Sequence, residues 1–228
     1  HMSITTTQLT RAAGLSAVAA GLLFIGVQIN HPTLSVDFVT TTEFVVRQSM
    51  KVCLSVLALI GITGMYLTQV RRSRVLGLVG YLIFAAGFLI MLTVEVAGLV
   101  VLPAIAHSAP AYVSDVIAVA TGGTAAGDIG LMKTLSQLGG VTYVAGGLVF
   151  GIALVRAYVL ARWAAVLLAV ATPLSLAIPL LPWINQRLFA VPTGVALVAL
   201  GYSLWRQQRS QVAAVSQLGP QPESAVVR

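Results

Sequence analysis

The sequence predicts an all-α, polytopic membrane helical bundle of about six transmembrane helices, with both termini cytoplasmic. Three observations carry that expectation. Of 228 residues, 58% are hydrophobic and only 8% charged, with a mean hydropathy of +0.95. A soluble domain carries about 25% charged residues, so this chain cannot build a water-facing surface around itself. The apolar residues fall in stretches near the length of about 20 that crosses bilayer hydrocarbon. The charges also separate by sign. Arg11, Arg71, Arg72, Arg74, Arg156, Arg162, Arg206 and Arg209 mark one set of stretch ends, and Asp37, Glu43, Asp115 and Asp128 the other. The positive-inside rule makes the arginine side cytoplasmic. The expected location is the inner (plasma) membrane of a bacterium.

The spans follow in order. His1 and Met2 read as vector-derived and are set aside. The first span is expected from about Ala12 to Ile29; it is long and lacks a clear A-x-A exit, so it reads as retained rather than as a cleaved signal. The second runs from about Phe44 to Val70 and the third from about Val75 to Val101, joined by the basic turn Arg71–Arg74. The fourth is expected at Leu131–Val155, the fifth at Trp163–Leu181 and the sixth at Leu188–Trp205. Trp163, Tyr202 and Trp205 stand where interfacial aromatics belong. The connection from Leu102 to Gly130 is long enough for a short helix around Ala111–Ala120, lying on the membrane or over the bundle as a lid. Residues 1–206 form one transmembrane domain, and the polar tail 207–228 reads as disordered. Ala13, Ala17 and Gly21 share a face of the first helix, and Gly147–Gly151 is a GxxxG in the fourth; both read as packing seams within the bundle.

Several function classes are excluded. The net charge of +7 is dispersed over helix ends rather than gathered in a stripe, which argues against nucleic acid. One cysteine, Cys53, permits no intrachain disulfide or CxxC pair. His31 and His107 match no metal spacing, so neither metal nor cofactor is expected. The chain has no GxSxG, HExxH, P-loop, Rossmann glycine pattern or DDxxD motif, and no selectivity-filter signature.

The polar residues left inside apolar stretches are the candidates for function. Glu95 lies in the third span, in Met91–Ala97, about two turns from its outer end. An ionised carboxylate in the membrane costs roughly 2.5–3.5 kcal/mol or more, so it must be paired, protonated or facing water. Two readings stand: a catalytic acid, or an interhelical lock to Arg47, Lys51 or Lys133. Glu43, Arg47 and Lys51 are spaced i, i+4, i+8 at the start of the second span, with Gln48 beside them. Glu43 also fits a capping box with Thr40 and an i,i+4 pair with Arg47. Asp128, before the fourth span, fits either a helix N-cap or a second carboxylate of a site. Gln137 and Tyr143 in the fourth span, Phe38, Phe44 and Phe88, and Trp183 near the fifth lie within reach of the same outer half. Thr172, Pro173 and Ser175 suggest a kink in the fifth span. Arg47, Lys51, Phe88, Gln137, Tyr143 and Trp183 are the expected binding residues, and Glu95, Glu43 and Asp128 the expected catalytic ones.

In size, in its several apolar spans, in the isolated acidic residues Glu43, Glu95 and Asp128 near helix ends, and in lacking DDxxD, the chain resembles the small integral-membrane terpene cyclases of bacterial and fungal biosynthesis. It is also similar to many short multi-span membrane proteins of actinobacteria. The first resemblance implies metal-independent, proton-initiated cyclisation of an isoprenoid chain. Glu95 would be the leading acid, and Glu43 or Asp128 the second carboxylate. A protonated carboxyl in an apolar pocket can protonate an alkene or epoxide, and aromatic faces can stabilise the carbocation. The other class is a non-enzymatic membrane protein that binds or transports a lipid or small hydrophobic ligand.

Overall fold

The computed structural model describes residues 4–176, 188 and 190–217, the side chains of 209–217 excepted. It is all-helical, with no strand among the described residues: α1 (Thr6–Gly26), α2 (Thr42–Leu67), α3 (Val70–Ile105), α4 (Pro110–Ala120), α5 (Leu131–Ala157), α6 (Arg162–Leu174) and α7 (Val191–Gln217), with a 3-10 turn at Phe38–Thr40 between α1 and α2. Four of these, α1, α2, α3 and α5, are long and apolar enough to cross a membrane. The expected fifth span is seen as the thirteen residues of α6, and its last five residues, 177–181, lie outside the described residues. The helix α7 continues to Gln217, past the boundary that composition placed at Gln207.

Local chemistry sets the helix ends. Thr5 and Gln8 form a reciprocal capping box, so α1 begins a turn and a half earlier than its apolar stretch. At the other hairpin, Arg74 has φ 49° and breaks the helix from α3 proper. Residues 70–73 are a single turn whose Ser73 N–H and hydroxyl both donate to the Gln69 carbonyl, at 2.8 and 2.9 Å. The third span therefore starts near Val75, as read. It runs through Pro103 to Ile105, because a proline so near the C-terminal end forfeits one backbone hydrogen bond and little more. In α6, Pro173 removes another donor, and the Ser175 hydroxyl takes up the Thr172 carbonyl at 2.6 Å.

The helices close a ring: α1 on α2, α2 on α3, α3 on α5, α5 on α6, α6 on α7, and α7 back on α1. One end is basic. There Arg11 lies 5.8 Å from the Trp205 ring, and the Ala161 N–H of the α5–α6 turn donates to Ser203 of α7 at 3.0 Å. The other end carries the 27–41 connection and α4, which packs on α5 and α3. The centre of the ring is filled. Phe24, Phe84, Phe88, Tyr143 and Phe150 meet with centroid separations of 4.8 to 6.5 Å, and Leu168, Leu197, Leu200 and Leu204 complete the core. A second, smaller core at the far end joins Val39, Phe44, Leu102, Val113, Val116 and Ile129.

Small residues let the ring close. A side chain at Gly14 would meet the Gly201 carbonyl at 2.8 Å, and one at Gly201 would meet Val18 N at 2.8 Å, so α1 and α7 touch backbone to backbone. On the opposite side, Gly80 and Gly87 of α3 face the backbone of Phe150 and Tyr143 on α5, at 2.6 and 2.8 Å for an added Cβ. Gly147 and Gly151 face Thr172 and Ala169 of α6, so the GxxxG is an internal seam. Gly140, on the same helix, has open space around it. Gly151→Leu is therefore expected to lower stability by about 1–3 kcal/mol through overpacking, and Gly140→Leu to leave it nearly unchanged. Thermal midpoints of the two variants in one detergent check this; equal losses would remove the seam as the cause.

Candidate functional site

The two apolar cores do not meet directly. Between them, at the outer ends of α2 and α3, lies a cavity of about 160 Å³. One side is polar: Gln48 and Lys51 from α2, and Glu95 beside Gly98 from α3. The other is mainly apolar: Leu34 from the 27–41 connection, Phe44, Leu102, Val116 and Ile117 of α4, and Met132 at the start of α5, with Thr121 at the end of α4 as its polar member. The short helix expected over this region is present as α4, and it forms part of the wall.

The polar side is built by antiparallel packing of α2 against α3. Gln48 is buried. Its Nε2 donates to the Glu95 carboxylate and, at 3.2 Å, to the Glu95 backbone carbonyl. Gly98, one turn beyond Glu95, makes the room for this amide: a Cβ there would sit 2.8 Å from Gln48 Nε2. Lys51, the next inward-facing residue of α2, interacts electrostatically with Glu95 but lies beyond ion-pair distance, since the described residues contain a single ion pair, Glu43–Arg47. Of the expected locks for Glu95, neither Arg47 nor Lys133 serves. Its direct partner is a neutral amide.

The other expected site residues scatter. The Arg47 guanidinium turns away from the cavity and donates to three carbonyls at the end of α1, Val27 and Ile29 at 3.0 Å and Asn30 at 3.1 Å. It caps the C-terminus of a neighbouring helix, whose last carbonyls otherwise lack donors. Glu43 pairs with Arg47 Nε at 2.8 Å on the surface. The N-cap of α2 is Thr41, which accepts from Phe44 N at 3.2 Å, so Glu43 is not the capping-box partner. Asp128 is exposed and accepts from Gly130 N at 2.8 Å, closing a turn rather than capping α5. Gln137 is exposed on α5. Phe88 and Tyr143 belong to the central aromatic core, where the Tyr143 hydroxyl donates to Thr193 at 3.2 Å. Phe44 is the expected aromatic that lines the cavity, with Phe38 stacked edge-on behind it at 5.9 Å. Trp183 lies outside the described residues, as do Asn185, Gln186 and Arg187. No three His, Cys, Asp or Glu side chains among the described residues come together as a metal site.

The cover over the cavity is internally braced. Asp115, on α4, accepts the backbone N–H groups of Ala126 and Gly127 with its two oxygens, both at 2.9 Å. This ties the 121–130 segment back to the helix that precedes it. Val113, Val116 and Ile129 then press the unit onto Phe44 and Leu102.

This arrangement can hold a molecule with one polar end. Glu95 offers carboxylate oxygens, Lys51 an ammonium, and the opposite wall mainly apolar surface. Because Arg47 makes three charge-assisted bonds to carbonyls, Arg47→Ala is expected to cost about 2–3 kcal/mol. Glu43→Gln, which breaks only the exposed pair, should cost about 0–1 kcal/mol. Denaturant titration of both variants checks the ranking, and equal losses would mean the ion pair rather than the α1 cap carries the stability.

No protein-family model, curated protein or solved structure matches this chain.

Proposed function

We propose that this chain is an integral protein of a bacterial plasma membrane, with six spans and cytoplasmic termini, that binds a small lipophilic molecule with a polar end beneath the α4 cover. The observation that supports this most is the convergence of Glu95, Gln48 and Lys51 on one side of a cavity whose other side is mainly apolar. At about 160 Å³ the space resembles the cavities of about 150 Å³ that admit benzene. It takes a ring-sized molecule, or the head of a longer one whose tail leaves between helices. The filled aromatic core beneath it favours binding over conduction across the bundle.

A second reading uses the same cavity. Of the three carboxylates expected to act as acids, Glu95 faces an apolar wall that includes Phe44, as proton-initiated cyclisation of an isoprenoid requires. Glu43 and Asp128 lie elsewhere, and a linear isoprenoid exceeds about 160 Å³, so this reading needs most of the chain to lie outside the cavity.

Small molecules released on denaturing the full chain, purified in nanodiscs, are identified by mass spectrometry beside Glu95→Gln and Lys51→Gln. The binding reading expects a species that falls about tenfold or more in both variants, the size of losing one charge-assisted hydrogen bond. The same species at equal levels in all three proteins would sink it. Incubation with linear and epoxidised isoprenoids separates the readings: a cyclised product that vanishes in Glu95→Gln establishes the enzyme.

A further inference from the structure

We infer that the turn between α2 and α3, with the groove beside it, forms a binding site for an anionic phospholipid. The site is independent of the Glu95 cavity and lies at the opposite, basic end. The groove, about 630 Å³, runs between the start of α1 and the end of α2 and is mostly apolar, with Leu9, Ala13, Ile60 and Leu67 in its walls. It continues at Leu67 and Thr68 into a hollow of about 450 Å³ whose rim is Gln69, Arg71 and Arg72. An acyl chain fits the first part and a headgroup the second.

Two further observations commit the site to an anion. Both arginines are exposed, and neither pairs with a carboxylate, since the ion pair among the described residues is Glu43–Arg47 at the other end. The turn that presents them is also held from within. Thr68 Oγ1 and Gln69 Nε2 donate to the Met65 carbonyl at 2.9 and 2.8 Å, and Ser73 closes back onto Gln69 at 2.9 Å. Two exposed arginines carried by a braced turn beside an apolar groove complement a phosphodiester with a fatty chain attached. A neutral or zwitterionic lipid gains from the groove but little from the arginines.

Native mass spectrometry of the full chain, with phosphatidylglycerol or phosphatidylcholine added at matched amounts, tests the site. The wild type should retain the anionic lipid preferentially, and Arg71→Gln with Arg72→Gln should cut that preference roughly tenfold or more. Arg156→Gln with Arg162→Gln removes the same charge at the other basic turn and should leave the preference in place. Ile60→Trp, which fills the groove from an exposed position, should lower retention of both lipids. Equal loss in the two double variants would reduce the effect to net charge and overturn the site. So would equal binding of both lipids by the wild type, or displacement of the anionic lipid by inorganic phosphate alone.

Discussion

Close backbone approach at glycine is the constraint from which the rest of this structure follows. In a bilayer the lipid around a helix is as apolar as the helix beside it, so association depends on packing and on polar contacts rather than on escape from water. The α3–α5 contact joins consecutive long helices and the α1–α7 contact joins the first helix to the last, and both rest on glycines that face a neighbouring backbone. Without the second of these the sequential helices would form an open fan. With them the ring closes, α2 and α3 are held side by side, and Gln48 can reach Glu95.

The polar residues then occupy the one layer where neither core claims the space. Below them lies the packed aromatic cluster; above them the Phe44–Leu102–Val116 core covers the end. A buried polar group costs several kcal/mol when it lacks a partner, and this layer meets that cost with few groups. Gln48 serves the carboxylate and a backbone carbonyl together, while Gly98 yields the room it needs. Arg47, one residue before Gln48, points the other way and serves α1. Adjacent positions on a helix differ by about 100°, and that rotation separates bracing from the cavity.

The helical class and the four long spans were legible because hydropathy and charge sign report directly on the bilayer. Glu95 was legible for the same reason: a carboxyl in an apolar run is conspicuous. Gln48 stands beside the charged stripe of α2 in the sequence but does not stand out as a site residue, because a neutral amide at a helix start looks ordinary; its signal is Gly98, one turn from Glu95. The stripe Glu43, Arg47, Lys51 misled because spacing on one helix says nothing about carbonyl acceptors that end another. Phe88 and Tyr143 were placed too near the site. Phe88 lies seven residues below Glu95, about 10 Å along the helix, which the spacing already implied. The seven-residue interval shared by Gly14 and Gly21, Gly80 and Gly87, and Gly194 and Gly201 was present too, but seam and lipid face look alike until helices are paired.

The cross-brace made by Asp115 bears on how the cover answers to substitution. Two hydrogen bonds from one carboxylate make residues 121–130 and α4 a single unit rather than a helix followed by an independent loop. Losing that carboxylate would loosen the wall on the α4 side while leaving the α2–α3 contact that carries Gln48 and Glu95 intact.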